Sequence, residues 1–212
     1  MQQLLLDIRP AARPTLDNFI PGTNRELLGH LKQWLGGETA ETALYIWGPP
    51  GSGKTHLLKA LATEAGGHVW NGAGEIPANL PLAAVDDVEK LDEPAQIATF
   101  DAYNRAKAAG LRFVAAGENA PAGLKLREDL RTRLGWGLVY RLYPLSDADM
   151  QAALARHAQA LGFDLDPAIA NWLLTRASRN LGYLLQIVEA LDRYSLQTKR
   201  RITLPLLKEI LP

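Results

Sequence analysis

The sequence of 212 residues contains no cysteine. That excludes disulfide bridges, a thiol nucleophile and cysteine-ligated metal centres. It also lacks a net charge, because 23 Lys and Arg balance 23 Asp and Glu. A protein that grips a phosphate backbone with its own surface is usually basic, so the balance argues against DNA binding as the primary task. Histidines are few, and His30, His56, His68 and His157 show no metal-ligand spacing. No apolar run approaches the ~20 residues of a membrane-spanning helix. The N-terminus, MQQLLLDIRP, lacks the basic region of a signal peptide. The expected location is the cytoplasm, with no membrane partner.

What is present is an alternation of short apolar runs and helical patterns. ALYIW (43–47), HVWN (68–71), LPLAAVDD (80–87) and LRFVAAG (111–117) read as strands, and GLVYRLYPL (137–145) holds a fifth. Between them lie helical patterns at 24–34, where Leu27, Leu28, Leu31 and Leu35 share a face, at 54–65 and at 93–109. Strands alternating with helices imply an α/β fold with a parallel five-stranded sheet. From Ser146 onward only helices are expected. Ser146 and Asp166 stand as N-caps, and Pro167 occupies a first helical position. The expected domains are an extended arm (1–13), an α/β nucleotide-binding domain (14–145) and a small all-helical domain (146–212).

The strand ALYIW runs into GPPGSGKT, and a helix follows. This is the P-loop pattern in its required context. Gly48, Pro49, Pro50, Gly51, Ser52 and Gly53 form the loop, and its glycines let the available backbone N–H groups turn toward phosphate oxygens. Lys54 is expected to reach the β and γ phosphates and Thr55 to hold Mg²⁺. Asp86, ending its strand, is the candidate for the magnesium shell through water. Asp87 stands where a carboxylate polarises the attacking water. Two arginines are also candidates. Arg179, at the start of a helix in the small domain, suits contact with the chain's own nucleotide, and Arg133, at a subunit edge, suits a neighbour's γ-phosphate. Each also fits a surface cation, and periodicity does not decide.

The combination resembles the AAA+ ATPases, and within them the ATPase domain of the replication initiator DnaA. PTLDNFIPGTNREL (14–27) is similar to that family's segment beside the adenine, and GSGKTHLL to its P-loop and following helix. This resemblance places Ile20 and His56 at the nucleotide. AVDDVEKL resembles the magnesium-binding strand end. RTRLGWGL is similar to the arginine-finger box, which assigns the finger to Arg133, and SRNLGYL to the second sensor, which assigns that role to Arg179. A first sensor is expected after FVAAG, at Glu118 or Asn119. The helical domain then corresponds to the AAA+ lid. DnaA continues into a helix-turn-helix domain that this sequence, ending at Pro212, does not include.

A DnaA-like ATPase of this extent resembles the Hda family, regulatory inactivators of DnaA. FDAYNR (100–105), RLGWGLVYRLYPLSDADMQAAL (133–154) and ITLPLLKEIL (202–211) are similar to Hda segments. Hda proteins carry an N-terminal motif that docks on the DNA sliding clamp. QLLLDI (3–8) fits it with Gln3, Leu4, Leu6 and Ile8, an extended peptide with apolar anchors. The resemblance implies ADP or ATP with Mg²⁺ as cofactors. It implies DnaA and the β sliding clamp of DNA polymerase III as partners, with DNA and the nucleoid met only through the clamp. It implies an ADP-bound negative regulator of replication initiation that activates ATP hydrolysis by DnaA, while the intact P-loop leaves intrinsic ATPase activity open. AAA+ sites sit at subunit edges, which allows a homodimer or higher oligomer. The rival readings are a DnaC-type helicase loader or transposition helper acting on single-stranded DNA, and a non-catalytic adaptor bridging DnaA homologues to another partner.

Overall fold

The computed structural model describes residues 13–72, 76–77 and 80–210. They divide into two compact units, one from Arg13 to Pro144 and one formed by the helices that follow Leu145.

The first unit is a five-stranded sheet. Its strands are β1 (Ala43–Trp47), β2 (His68–Trp70), β3 (Leu82–Val85), β4 (Arg112–Gly117) and β5 (Leu138–Arg141), in the order β2-β3-β4-β1-β5. All neighbours are parallel. The strands are uninterrupted apolar runs because helices cover both faces. On one face Tyr45, Val85, Phe113 and Ala115 pack against Tyr103 and Ala106 of α3 (Glu93–Ala109) and Leu130 and Leu134 of α4 (Glu128–Leu134). On the other, Leu44, Ile46, Ala84 and Val114 meet Leu27 and Leu31 of α1 (Arg25–Gly36) and Leu57, Leu58 and Leu61 of α2 (Lys54–Ala65).

The fifth strand lies within the expected 137–145 and ends at Arg141, where a side chain replaces the ladder. Leu142 still donates its N–H to Trp47 O at 2.7 Å. Asn24 then takes over, accepting the Tyr143 N–H at 2.9 Å and donating to Tyr143 O at 2.8 Å. Helix α4 falls where no helix was expected. It is seven residues long and buries only Leu130 and Leu134, too few for a periodic signal.

The second unit comprises α5 (Asp147–Leu161), α6 (Pro167–Arg176), α7 (Leu181–Thr198) and α8 (Leu204–Ile210). Side-chain caps start the first three: Ser146 accepts from Asp149 N–H, Asp166 from Ala168 N–H and Asn180 from Tyr183 N–H. Met150, Leu154, Ile169, Leu173, Leu184, Ile187, Leu191 and Leu207 form its core. No described helix is long and apolar enough to cross a membrane.

Candidate functional site

The loop between β1 and α2 is built by its neighbours as much as by its own sequence. Gly51 and Gly53 have φ of 77° and 103°, a region that a residue with a Cβ enters only under strain. A Cβ at Gly53 would also stand 2.9 Å from the Phe19 ring, and one at Gly48 would collide with the Leu142 carbonyl. Gly48 donates its N–H to Gly117 O at 3.1 Å, which ties the loop to the end of β4.

Lys54 opens α2 and is buried. Its Nζ curls back on the loop, donating to Gly48 O at 2.8 Å and Pro49 O at 3.2 Å. An ammonium held by backbone carbonyls is ready to exchange them for phosphate oxygens. The Ser52 hydroxyl is buried and has no hydrogen-bond partner among the described residues. With the N-terminus of the twelve-residue α2, these groups fit a polyphosphate. Next to them Thr55 Oγ1 donates to Asp86 Oδ2 at 2.6 Å. Asp86 is 7% exposed, and its Oδ1 accepts the Asp87 N–H at 3.0 Å. A hydroxyl and a carboxylate at the end of the lysine loop form a hard-oxygen pair that fits Mg²⁺.

Asp87 is turned elsewhere. It lies in the left-handed region at φ 51°, and its Oδ2 accepts from Lys90 Nζ at 2.6 Å. The loop after β4 is held differently. Glu118 and Asn119 donate their backbone N–H groups to Glu89 Oε1 at 2.5 and 3.0 Å.

The segment before α1 is clipped onto α2. Leu16 N–H donates to Glu64 Oε1 at 3.0 Å, and His56 Nε2, in its protonated tautomer, donates to Thr15 O at 3.1 Å. The Phe19 ring meets the His56 ring at 5.6 Å between centroids. Burial pushes the His56 pKa down, against a smaller opposing effect of the bond to Thr15. His56 thus fixes residues 15–19 beside the loop. Ile20, the next residue, is half-buried.

Arg133 sits in α4 and pairs with no carboxylate among the described residues. Its guanidinium carbon stands 4.1 Å from the Trp136 ring centroid and 5.7 Å from that of Phe100. Trp136 is 56% exposed. A shallow notch of about 270 Å³ opens beside it, lined by Pro121, Ala122, Arg131, Thr132, Gly135 and Trp136. Arg179, in the second unit, donates to Asp147 in an exposed ion pair. Gln3, Leu4, Leu6 and Ile8 lie outside the described residues.

Residues 44–95 match the model of the AAA family, ATPases associated with various cellular activities. Residues 147–211 match the lid domain of Hda. Among solved structures, the fold is similar to AMPPCP-bound DnaA from Aquifex aeolicus, with 23% identity, a TM-score of 0.69 and coverage of 92% of this chain and 70% of that one. It is similar to domain III of Thermotoga maritima DnaA, with 20% identity, a TM-score of 0.73 and coverage of 96% and 100%. It is also similar to a RuvB variant from Thermotoga maritima, with 20% identity, a TM-score of 0.64 and coverage of 96% and 72%. At these identities the likeness is one of fold. Core and P-loop together define a nucleotide-binding AAA+ protein. The helices from Asp147 onward match the Hda lid, and the core has the fold of DnaA domain III.

Sequence reasoning missed three participants. Phe19 and Trp136 were given no role, although Trp136 follows Arg133 by three, within reach on a helical turn. Glu89 gave no signal, because its partners lie 29 and 30 residues away.

Proposed function

We propose that this protein is a negative regulator of replication initiation that switches DnaA off. It holds ADP in its own P-loop site, where the loop 48–53 wraps the phosphates, Lys54 and the backbone N–H groups of residues 51–53 bind them, Ile20 and His56 border the nucleotide, and Arg179 of the lid adds a cation. Thr55 and Asp86 would orient Mg²⁺, which when bound neutralises phosphate charge. Gln3, Leu4, Leu6 and Ile8 dock on the sliding clamp, so the protein acts where clamp is loaded on DNA. Arg133 enters the ATP site of DnaA. There its guanidinium stabilises the charge that builds on the γ-phosphoryl group as water attacks the phosphorus and the bond to the bridging oxygen breaks. ADP and phosphate result, and DnaA is left in its inactive ADP form. Asp87 is the candidate for any turnover of the chain's own ATP.

The observation that carries this reading is Arg133 itself. It is a guanidinium on an exposed aromatic platform with no carboxylate partner among the described residues, in a protein with an Hda-type lid. Most surface arginines find a carboxylate or solvent. One stacked on tryptophan keeps its donor edge available to an incoming polyanion.

The test is hydrolysis of labelled ATP bound to the cognate DnaA, with clamp loaded on DNA. Reactions with the full chain, without it, and with a chain lacking residues 1–8 are compared. Stimulation that requires residues 1–8 supports the proposal. No stimulation, together with DNA-dependent ATP turnover by this protein alone, would replace it with a loader-type ATPase.

A further inference from the structure

A half-buried carboxylate joins two loops of the nucleotide site. Glu89 lies on the 3-10 turn Val88–Lys90, three residues past Asp86. Its Oε1 takes both the Glu118 and Asn119 N–H groups, at 2.5 and 3.0 Å. From β1, the Tyr45 hydroxyl donates to Asn119 O at 2.8 Å. The backbone of Asn119 is therefore held from two sides.

The packing leaves no slack. A Cβ on Gly117 would meet the Tyr45 hydroxyl and both Glu89 carboxylate oxygens, the latter at 2.7 Å. Glu89 Oε2 is buried and has no hydrogen-bond partner among the described residues. Burying a carboxylate oxygen unpaired is costly, so the position of Glu89 calls for a physical reason. Burial, reinforced by the Glu89 charge, holds the Tyr45 hydroxyl in its protonated, donating form.

Of the three acids in the run 86–89, Asp87 faces Lys90 while Asp86 and Glu89 face inward. Asp86 accepts from Thr55, and Glu89 accepts from residues 118 and 119. Asp87 stands between them in the left-handed conformation at φ 51°, a strained joint of the kind that concentrates at switching sites.

We propose that Glu89 is a positioning residue that couples the Thr55–Asp86 pair to the 118–119 loop. When Asp86 changes partner on nucleotide binding, the turn after it moves and Glu89 carries the two backbone N–H groups with it. The side chains of Glu118 and Asn119, the expected first sensor, are then set by the state of the site. The inference rests on nucleotide binding at the P-loop and not on the DnaA or clamp reading.

The test uses the full ¹⁵N-labelled chain without nucleotide, with ADP and Mg²⁺, and with AMPPCP and Mg²⁺. In wild type, the amide protons of Glu118 and Asn119 resonate downfield and differ among the three states. In Glu89→Ala both lose the downfield position and no longer report the nucleotide, while ADP affinity stays within about twofold of wild type. Glu89→Gln keeps an acceptor and retains an attenuated response. Tyr45→Phe removes only the bond to Asn119 O and keeps the response.

Unchanged nucleotide-dependent shifts in Glu89→Ala would overturn the proposal, as would wild-type amides that never respond. Loss of ADP binding in Glu89→Ala would make Glu89 part of the binding site and also overturn it. If Glu89→Ala does not fold, Glu89→Gln and Tyr45→Phe decide. A response lost in Tyr45→Phe but intact in Glu89→Gln contradicts the coupling role.

Discussion

The Arg133 guanidinium stacks on the Trp136 ring at 4.1 Å, and Lys107 Nζ lies 5.4 Å from the same centroid. Two cations thus share one exposed tryptophan. The stack limits the rotamers of Arg133 without using its N–H donors, which suits a residue whose partner belongs to another molecule.

Trp136→Ala removes the platform and leaves the arginine. A cation–π contact at an exposed site is worth ~0.5–1 kcal/mol, so DnaA-ATP hydrolysis should fall roughly two- to fivefold. The melting temperature should barely move, because the ring is mostly exposed. Trp136→Phe should recover part of the loss. A large drop in melting temperature on Trp136→Ala would assign the ring to packing instead.

Lys54→Ala should weaken nucleotide binding by roughly 10–100-fold, since charge-assisted hydrogen bonds contribute ~1.5–3 kcal/mol. Asp86→Asn removes the charge beside Thr55 and should abolish the difference in affinity measured with and without Mg²⁺. Titration of a fluorescent ADP analogue reads both. An Asp86→Asn protein with undiminished Mg²⁺ dependence would exclude Asp86 from the metal shell.

Gly117→Ala forces a methyl group against Tyr45 and Glu89. Overpacking of a tight core costs ~1–3 kcal/mol, read as a lower urea midpoint. Adding Tyr45→Phe removes one of the colliding atoms and should return part of that loss, a non-additive cycle between neighbours. Full additivity would show that the clash relaxes elsewhere.

His56 titrates below its ordinary value because it is buried. The unfolded chain therefore binds the proton more readily than the folded one. The stability linked to neutral His56 is fully present above the unfolded pKa of about 6.5 and is lost as pH falls through the lower folded value. The melting temperature of the wild type should drop more between about pH 7.5 and about pH 5 than that of His56→Asn. Parallel slopes would remove His56 from the pH response.

The phosphate loop and the Thr55–Asp86 pair were legible in the sequence because their chemistry is local and ordered by the chain: strand, glycine loop, lysine, helix. The five strands were legible as apolar runs. The strand order was not, since crossovers leave no mark on hydrophobic periodicity. Helix α4, with two buried leucines, gave too weak a pattern, and the early end of β5 depends on Asn24, more than a hundred residues earlier. The latch formed by Tyr45, Glu89 and Asn119 was invisible for the same reason. It joins β1, the turn after β3 and the loop after β4, and only the folded sheet brings them together.

The most direct test of the account is a single-turnover measurement of ATP hydrolysis on DnaA, with clamp loaded on DNA and with wild-type, Arg133→Ala or Arg133→Lys protein. An arginine finger supplies on the order of 10³-fold or more, and a lysine cannot reproduce its planar fork. Both variants should therefore lose nearly all stimulation while binding ADP and clamp as wild type does. Stimulation by Arg133→Ala equal to that of wild type would contradict the assignment of Arg133 to the DnaA site.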